Sequence, residues 1–243
     1  MPDSQKKPSD FSTTNWSVIL QVGRTDVARA AAALEWLCRK YWHPIYVFIR
    51  RRGSNHHEAE DSTQAFFAYL LEKETMKSVD RRKGKFRSFL LASLTNFLLN
   101  EHDRRQTLKR GGNRQIISLD EMAAEKLYSQ EPIEHFSPEK LFERRWAITI
   151  IEQVLTRLKN EYTAAGKADV FVKLEPGLTG EVMPGLYADW SAALNMSEGA
   201  VKVALHRLRR RFGELLRSEV AYTVADPAEV AEEIRYLLAA ISN

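Results

Sequence analysis

The chain has 243 residues, 44% of them hydrophobic, with only 11 glycines and 8 prolines; general disorder is excluded, and an all-β fold with many tight turns is disfavoured. The formal net charge is +4 and the isoelectric point about 9.1, a balance that points weakly to polyanions. A single cysteine, Cys38, rules out an intrachain disulfide and a thiolate zinc cluster, and no run of about 18 apolar residues is present to span a bilayer.

Residues 1–15 are polar and read as a disordered leader without the apolar core of a signal peptide. Trp16 to Leu20 starts a short helix. Asp26 is placed to cap a long Ala-rich helix through Leu34, Leu37 and Tyr41, which Pro44 is expected to interrupt. A helix from Pro44 to Arg52 ends at Gly53, a natural left-handed C-terminal position. Asn55 and Glu58 have the spacing of a capping box and open a helix carrying Ala59, Phe66, Phe67, Leu70 and Leu71. The next helix runs from about Lys85 to Arg110, with Phe86, Phe89, Leu90, Leu94, Phe97 and Leu98 at helical spacing, and Gly111-Gly112 stops it.

Residues 113–138 mix polar and acidic side chains with Pro132 and Pro138 and read as a linker, with a short helix around Leu119 to Tyr128. Ser137-Pro138-Glu139 restarts helix as a cap, an N1 proline and a first-turn acid. Its apolar set is Leu141, Trp146, Ile148, Ile151, Val154, Leu155 and Leu158. From Gly166 to Gly185 the chain is rich in glycine and proline, helical at most from Ala168 to Leu174. Tyr187 to Leu194 is a short helix, Asn195-Met196 a turn, and Ser197 a cap. Asp226-Pro227 caps a final helix with Val230, Ile234, Leu237 and Ile241 on one face.

Basic residues cluster three times: Arg81 to Arg87, Arg104 to Arg114, and Lys202 to Arg217. Three such clusters at helix ends and faces favour nucleic acid over three merely solvated surfaces. In the third, "SEGAVKVALHRLRRRF", Val201, Ala204, Leu205, Leu208 and Phe212 form one narrow apolar stripe, with basic residues opposite. A membrane-surface helix needs a broader, aromatic face. A short helix, a tight turn and a second basic helix make a helix-turn-helix pattern. The cap Ser197 and the small residues Gly199 and Ala200 leave backbone amides free to meet a phosphate.

This segment resembles the recognition helix of bacterial sigma-70-family factors of the extracytoplasmic-function (ECF) group: small-polar-Gly-small-Val-Lys-x-x-Leu-His-Arg-x-Arg falls on Ser197, Glu198, Gly199, Ala200, Val201, Lys202, Leu205, His206, Arg207 and Arg209. "YWHPIYVFIRRRGSNHHEAEDSTQAFFAYLLE" is similar to the opening of the family's domain two. "GKFRSFLLASLTNFLLNEHDRRQTLKR" is similar to its promoter-melting and minus-ten segment. The resemblance covers most of Leu34 to Gly111 and Trp146 to Thr223.

The implied architecture is all-α: sigma domain two (16–112), the linker (113–138), a helix-turn-helix domain four (139–224) and an extra C-terminal helix (225–243). By this resemblance Glu58, Asp61 and Gln64 face core RNA polymerase, with Phe67 supporting them from the core. The minus-ten segment supplies Lys85, Phe86, Arg87, Asn96, Asn100, Arg104 and Arg105; aromatic rings stack on unpaired bases while cations hold phosphates. Ser197, Gly199, Ala200, Lys202, Val203, His206, Arg207 and Arg210 face the upstream duplex. The acidic linker from Leu119 to Glu134 would avoid duplex and thread the polymerase, as family linkers do. The implied protein is a cytoplasmic transcription initiation factor and no enzyme. It has no membrane insertion, partners in core polymerase and promoter DNA, and room for an anti-sigma factor.

The chain departs from the family pattern at Phe89 (often Trp), Thr95 (Arg) and Asn100 (Asp). It departs again at Asp189-Trp190-Ser191 (usually Glu-Ile-Ala), in the long Gly166–Gly185 connection, and in the added C-terminal helix. Two other readings compete. One is a helix-turn-helix repressor or activator that ignores polymerase, which leaves the Asp61/Gln64 stripe unexplained. The other is a metal enzyme built on His56/Glu60 and His57/Asp61 at i, i+4. No second cluster closes that set, so neither a metal nor a cofactor is expected.

Overall fold

The computed structural model describes residues 27–71, 85–107, 125–126, 128–131, 136–180 and 182–242. The expected leader, the Trp16–Leu20 helix, the Asp26 cap, Arg81 to Lys83, the Gly111-Gly112 stop and most of the linker lie outside them. Among the described residues there are eight α-helices and no strand. They are α1 (Val27–Arg51), α2 (His56–Leu71), α3 (Phe86–Thr107), α4 (Pro138–Ala164), α5 (Ala168–Leu174), α6 (Leu186–Leu194), α7 (Glu198–Ala221) and α8 (Val230–Ser242).

The helix ends follow their local chemistry. Asn55 and Glu58 form the reciprocal capping box: the Glu58 amide donates to Asn55 Oδ1 (3.0 Å) and the Asn55 amide to Glu58 Oε2 (3.1 Å). Ser137 accepts from the Lys140 amide, Ser197 from that of Ala200, and Asp226 from that of Ala228. Gly53 takes φ +101° behind α1, the left-handed conformation expected there.

Pro44 corrects one expectation. It lies inside α1, which continues from Val27 to Arg51. Trp42, Ile45, Tyr46, Phe48 and Ile49 are all buried on either side of it, and that burial outweighs one missing backbone hydrogen bond, itself a modest net term.

The core is aromatic where α1 meets α4. The Tyr41 ring stacks on Trp146 with centroids 4.3 Å apart, Phe86 closes on both, and Phe48 meets Phe142 edge-on. Trp42 stacks on Phe67 of α2, and Phe66 and Tyr69 pack on Phe97 of α3. A single buried cluster thus runs from α1, α2 and α3 through α4 to Phe171, Trp190, Leu205, Leu215 and Leu237. Lys40 and Glu219 bridge α1 and α7 at 2.8 Å. Helices on the two sides of the expected linker therefore share one core.

The linker residues that are described are pinned by charge. Glu125 accepts from Arg50 (2.6 and 3.1 Å) and from the Tyr46 hydroxyl. Burial alone would push the Glu125 carboxyl up; the Arg50 and Tyr46 hydrogen bonds outweigh it and hold it below the usual range. Glu131, buried, meets Arg144 at 2.7 Å and Arg145 at 3.6 Å.

Cutting the α1–α4 joint should unfold the whole described body. Trp146→Ala is expected to cost about 3–5 kcal/mol in urea denaturation. Trp146→Phe, which also removes an indole N–H that finds no protein acceptor, should cost far less.

His43, half-buried on α1, has its pKa pushed down to about 3, mainly by burial and secondarily by Arg145. Below about pH 6.5 the unfolded chain gains a proton that the folded chain refuses. This site's stability contribution therefore falls with pH down to about 3, by at most about 1.4 kcal/mol per pH unit. His43→Gln should flatten the corresponding slope between pH 6.5 and 5 in thermal melts.

Candidate polymerase and nucleic-acid interfaces

A helix-turn-helix is built by α6, a three-residue turn and α7. Asn195 ends α6 at φ +51°, a conformation asparagine tolerates better than most residues. The Ser191 hydroxyl donates to the Met196 carbonyl and the Met196 amide to the Ser191 carbonyl, locking the turn. Ser191 belongs to the unusual Asp189-Trp190-Ser191 triplet, and Trp190 fills the core beneath it, only 3% exposed. A Cβ on Gly177 would lie 2.7 Å from the Trp190 ring, so glycine there allows the long connection to pack closely.

On α7, Val201, Leu205, Leu208, Leu215, Leu216 and Val220 face inward. The apolar stripe thus runs about two turns beyond Phe212. Lys202, Val203, His206, Arg207 and Arg210 are exposed, as are Ser197, Gly199 and Ala200 at its start. Val203 is 50% exposed. No atom lies within 4 Å of the Cβ that Gly199 lacks; its own fold leaves that space open. The Lys202 ammonium sits 5.1 Å over the Tyr187 ring.

The basic cluster is not uniformly outward. Arg209 donates to the carbonyls of Gly177 (2.8 Å) and Gly180 (2.7 Å) and clamps the Gly166–Gly185 connection onto α7. Arg211 makes a forked pair with Glu161 of α4, both bonds 2.8 Å, and that hydrogen bonding holds the Glu161 carboxyl below the usual range. Periodicity separates apolar from polar positions, but not an arginine that clamps a loop from one that faces water.

On α2, Asp61 is exposed and Gln64 half-buried on the next turn. Glu58 is exposed at the start of the same helix, where it serves the capping box. Phe67 lies in the core under this stripe, 2% exposed.

His56, His57 and Glu60, at the first turn of α2, bring their ligand atoms within 4.8 Å of one another, the one such group among the described residues; Asp61 is outside it. The Nδ1 of His56 is already engaged at 2.7 Å by Tyr46 Oη.

On α3, Asn96 and Asn100 are exposed. Arg104 and Arg105 lie in its last turns. Two residues expected to touch DNA are placed otherwise. Phe86 is wholly buried against Tyr41, Phe89 and Trp146; its register with Leu90, Leu94 and Phe97 directs it into the core, and no base can stack on it in this arrangement. Arg87 is buried too, 7% exposed, and donates to Glu233 of α8 (2.7 Å) and Glu143 of α4 (2.6 Å). Burial works against its charge, but the hydrogen bonds and charges of those carboxylates outweigh it and hold the guanidinium's pKa above the usual value. Lys85, half-buried, lies 3.0 Å from Glu233. These long-range acidic partners left no local signal in the sequence.

An all-α body that exposes the polar face of a helix-turn-helix is the architecture of a DNA-binding protein. The model of the ECF sigma factor family matches residues 30–218, most of the chain, and the chain belongs to that family. No curated protein and no solved structure matches it. As a sigma factor it acts in transcription initiation. Among the described residues no helix is long and apolar enough to cross a membrane.

Neighbouring arginines should separate under test. Arg209→Ala, which frees two carbonyls from their charged donor, is expected to lower the thermal midpoint by several degrees. Arg210→Ala, on the solvent side, should leave it unchanged.

Proposed function

We propose that this protein binds core RNA polymerase through the exposed face of α2, with Asp61 and Gln64 at its centre and Glu58 at its edge. The protein also holds promoter DNA through α7, and the single observation that carries this part of the reading is the sorting of side chains on that helix. Its apolar stripe is fully used inside the protein, while Lys202, Val203, His206, Arg207 and Arg210 remain outside. Such a face fits a major groove, where lysine, arginine and histidine can reach phosphates and base edges. The α7 amino terminus, with the Ser197 hydroxyl and the open side of Gly199, faces a backbone phosphate.

Asn96, Asn100, Arg104 and Arg105 of α3 then read and hold the minus-ten region, with Lys85 and Arg87 joining when they are accessible. Phe86 supports this helix from inside rather than stacking on a base. Melting needs no covalent chemistry: captured unpaired bases offset the cost of unpairing, and phosphate contacts make the affinity salt-dependent. The protein directs the polymerase and is not itself an enzyme; it works in the cytoplasm, where the polymerase is.

The test is gel filtration with core polymerase beside duplex binding. The wild type should co-elute with core. Asp61→Ala should weaken that association about tenfold with the thermal midpoint unchanged. Lys202→Ala with Arg207→Ala should spare core binding, weaken upstream duplex binding about 100-fold, and lower the salt slope by roughly 2. One shared defect in both variants would contradict this division. DNA binding with no association to core would favour a regulator that works without polymerase.

A further inference from the structure

α8 begins beyond the residues matched to the family, which end at 218. Its apolar face, with Leu237 buried and Val230, Ile234 and Ile241 partly so, packs in the common core. Its other contacts are charged and converge on the start of α3. The Glu233 carboxylate, 1% exposed, accepts from Arg87 Nε at 2.7 Å and lies 3.0 Å from Lys85 Nζ. Glu232 lies 3.5 Å from the same lysine. The Tyr236 ring lies 3.9 Å from the Arg87 guanidinium carbon, and its hydroxyl donates to Glu143, whose other oxygen accepts from Arg87. The backbone just before α8 joins in: the Phe86 amide donates to the Thr223 carbonyl at 2.9 Å.

These groups have the chemistry of a nucleotide strand. Carboxylates stand where phosphates would meet Lys85 and Arg87, and a tyrosine ring lies where a base would stack on the guanidinium. A helix needed only to close a core gains little from this arrangement, since buried ion pairs add little net stability over apolar side chains of similar size. Arg87 cannot hold Glu233 and a DNA strand at once.

We propose that α8 is a built-in competitor of single-stranded DNA, occupying the start of α3 in the free protein and leaving it when the strand binds. This rests on the assignment of Lys85 and Arg87 to the minus-ten region under the proposed function. The latch therefore weakens DNA binding by the protein alone and restricts promoter capture to conditions that displace α8.

The test uses the full chain, without polymerase, and a fluorescent mixed-sequence 20-nucleotide single strand followed by anisotropy. Glu143→Gln with Glu233→Gln should bind at least tenfold more tightly than wild type. Its salt slope should steepen by about 1.4, at roughly 0.7 per released cation. Adding Arg87→Ala should abolish most of that gain. Unchanged affinity and slope in a folded double variant would overturn the proposal. Hydrogen exchange on the wild type covers the case in which the variant does not fold. Saturating strand should expose the amides from Val230 to Ser242, and undiminished protection there would equally overturn it. Co-elution with core reports separately on the sigma reading, so the two can fail independently.

Discussion

The stacking of Tyr41 on Trp146 is the contact on which the rest of the molecule depends. It is a buried joint between α1 and α4, with Phe86 and Phe142 at its sides. Such an aromatic pair adds about 0.5–1.5 kcal/mol beyond the area it buries. It fixes where α3 begins, because Phe86 is part of it, and where α7 lies, because α7 packs on the far part of α4. The spacing between the exposed polar stripe on α2 and the exposed basic side of α7 is therefore set by one aromatic cluster.

Around that joint, charge is divided into two uses. Arg50, Arg87, Arg145, Arg209 and Arg211 are spent on carboxylates and carbonyls within the fold. Lys202, His206 and Arg207 face water, and Arg210, also exposed, pairs with Glu214 one turn on. Arg50, Arg145 and Arg209 fix linker and loop residues to helices, and Arg87 and Arg211 tie helix to helix. A net charge of +4 thus understates how basic the exposed side of α7 is.

Local features were legible in the sequence because short-range chemistry determines them. The capping box of Asn55 and Glu58, the caps at Ser137, Ser197 and Asp226, the Gly53 end and the α7 stripe all fall within a few residues of their cause. Pro44 departs from its sequence expectation because its penalty is local while the burial that overrides it is tertiary. The motif alone points Phe86 and Arg87 to DNA, yet their neighbours lie across the fold. Glu233 is 146 positions from Arg87, and no spacing rule reaches that far. The α6–α7 turn was visible, but the clamp of Arg209 on the Gly166–Gly185 connection was not, since it depends on carbonyls rather than side chains.

The most direct test of the central claim is transcription by core polymerase supplemented with the purified protein on fragmented genomic DNA from the same source, with start sites mapped by sequencing. The protein should produce a discrete set of starts that core alone does not make, each preceded by two shared elements at fixed spacing. The same starts with and without the protein would contradict a role as a sigma factor.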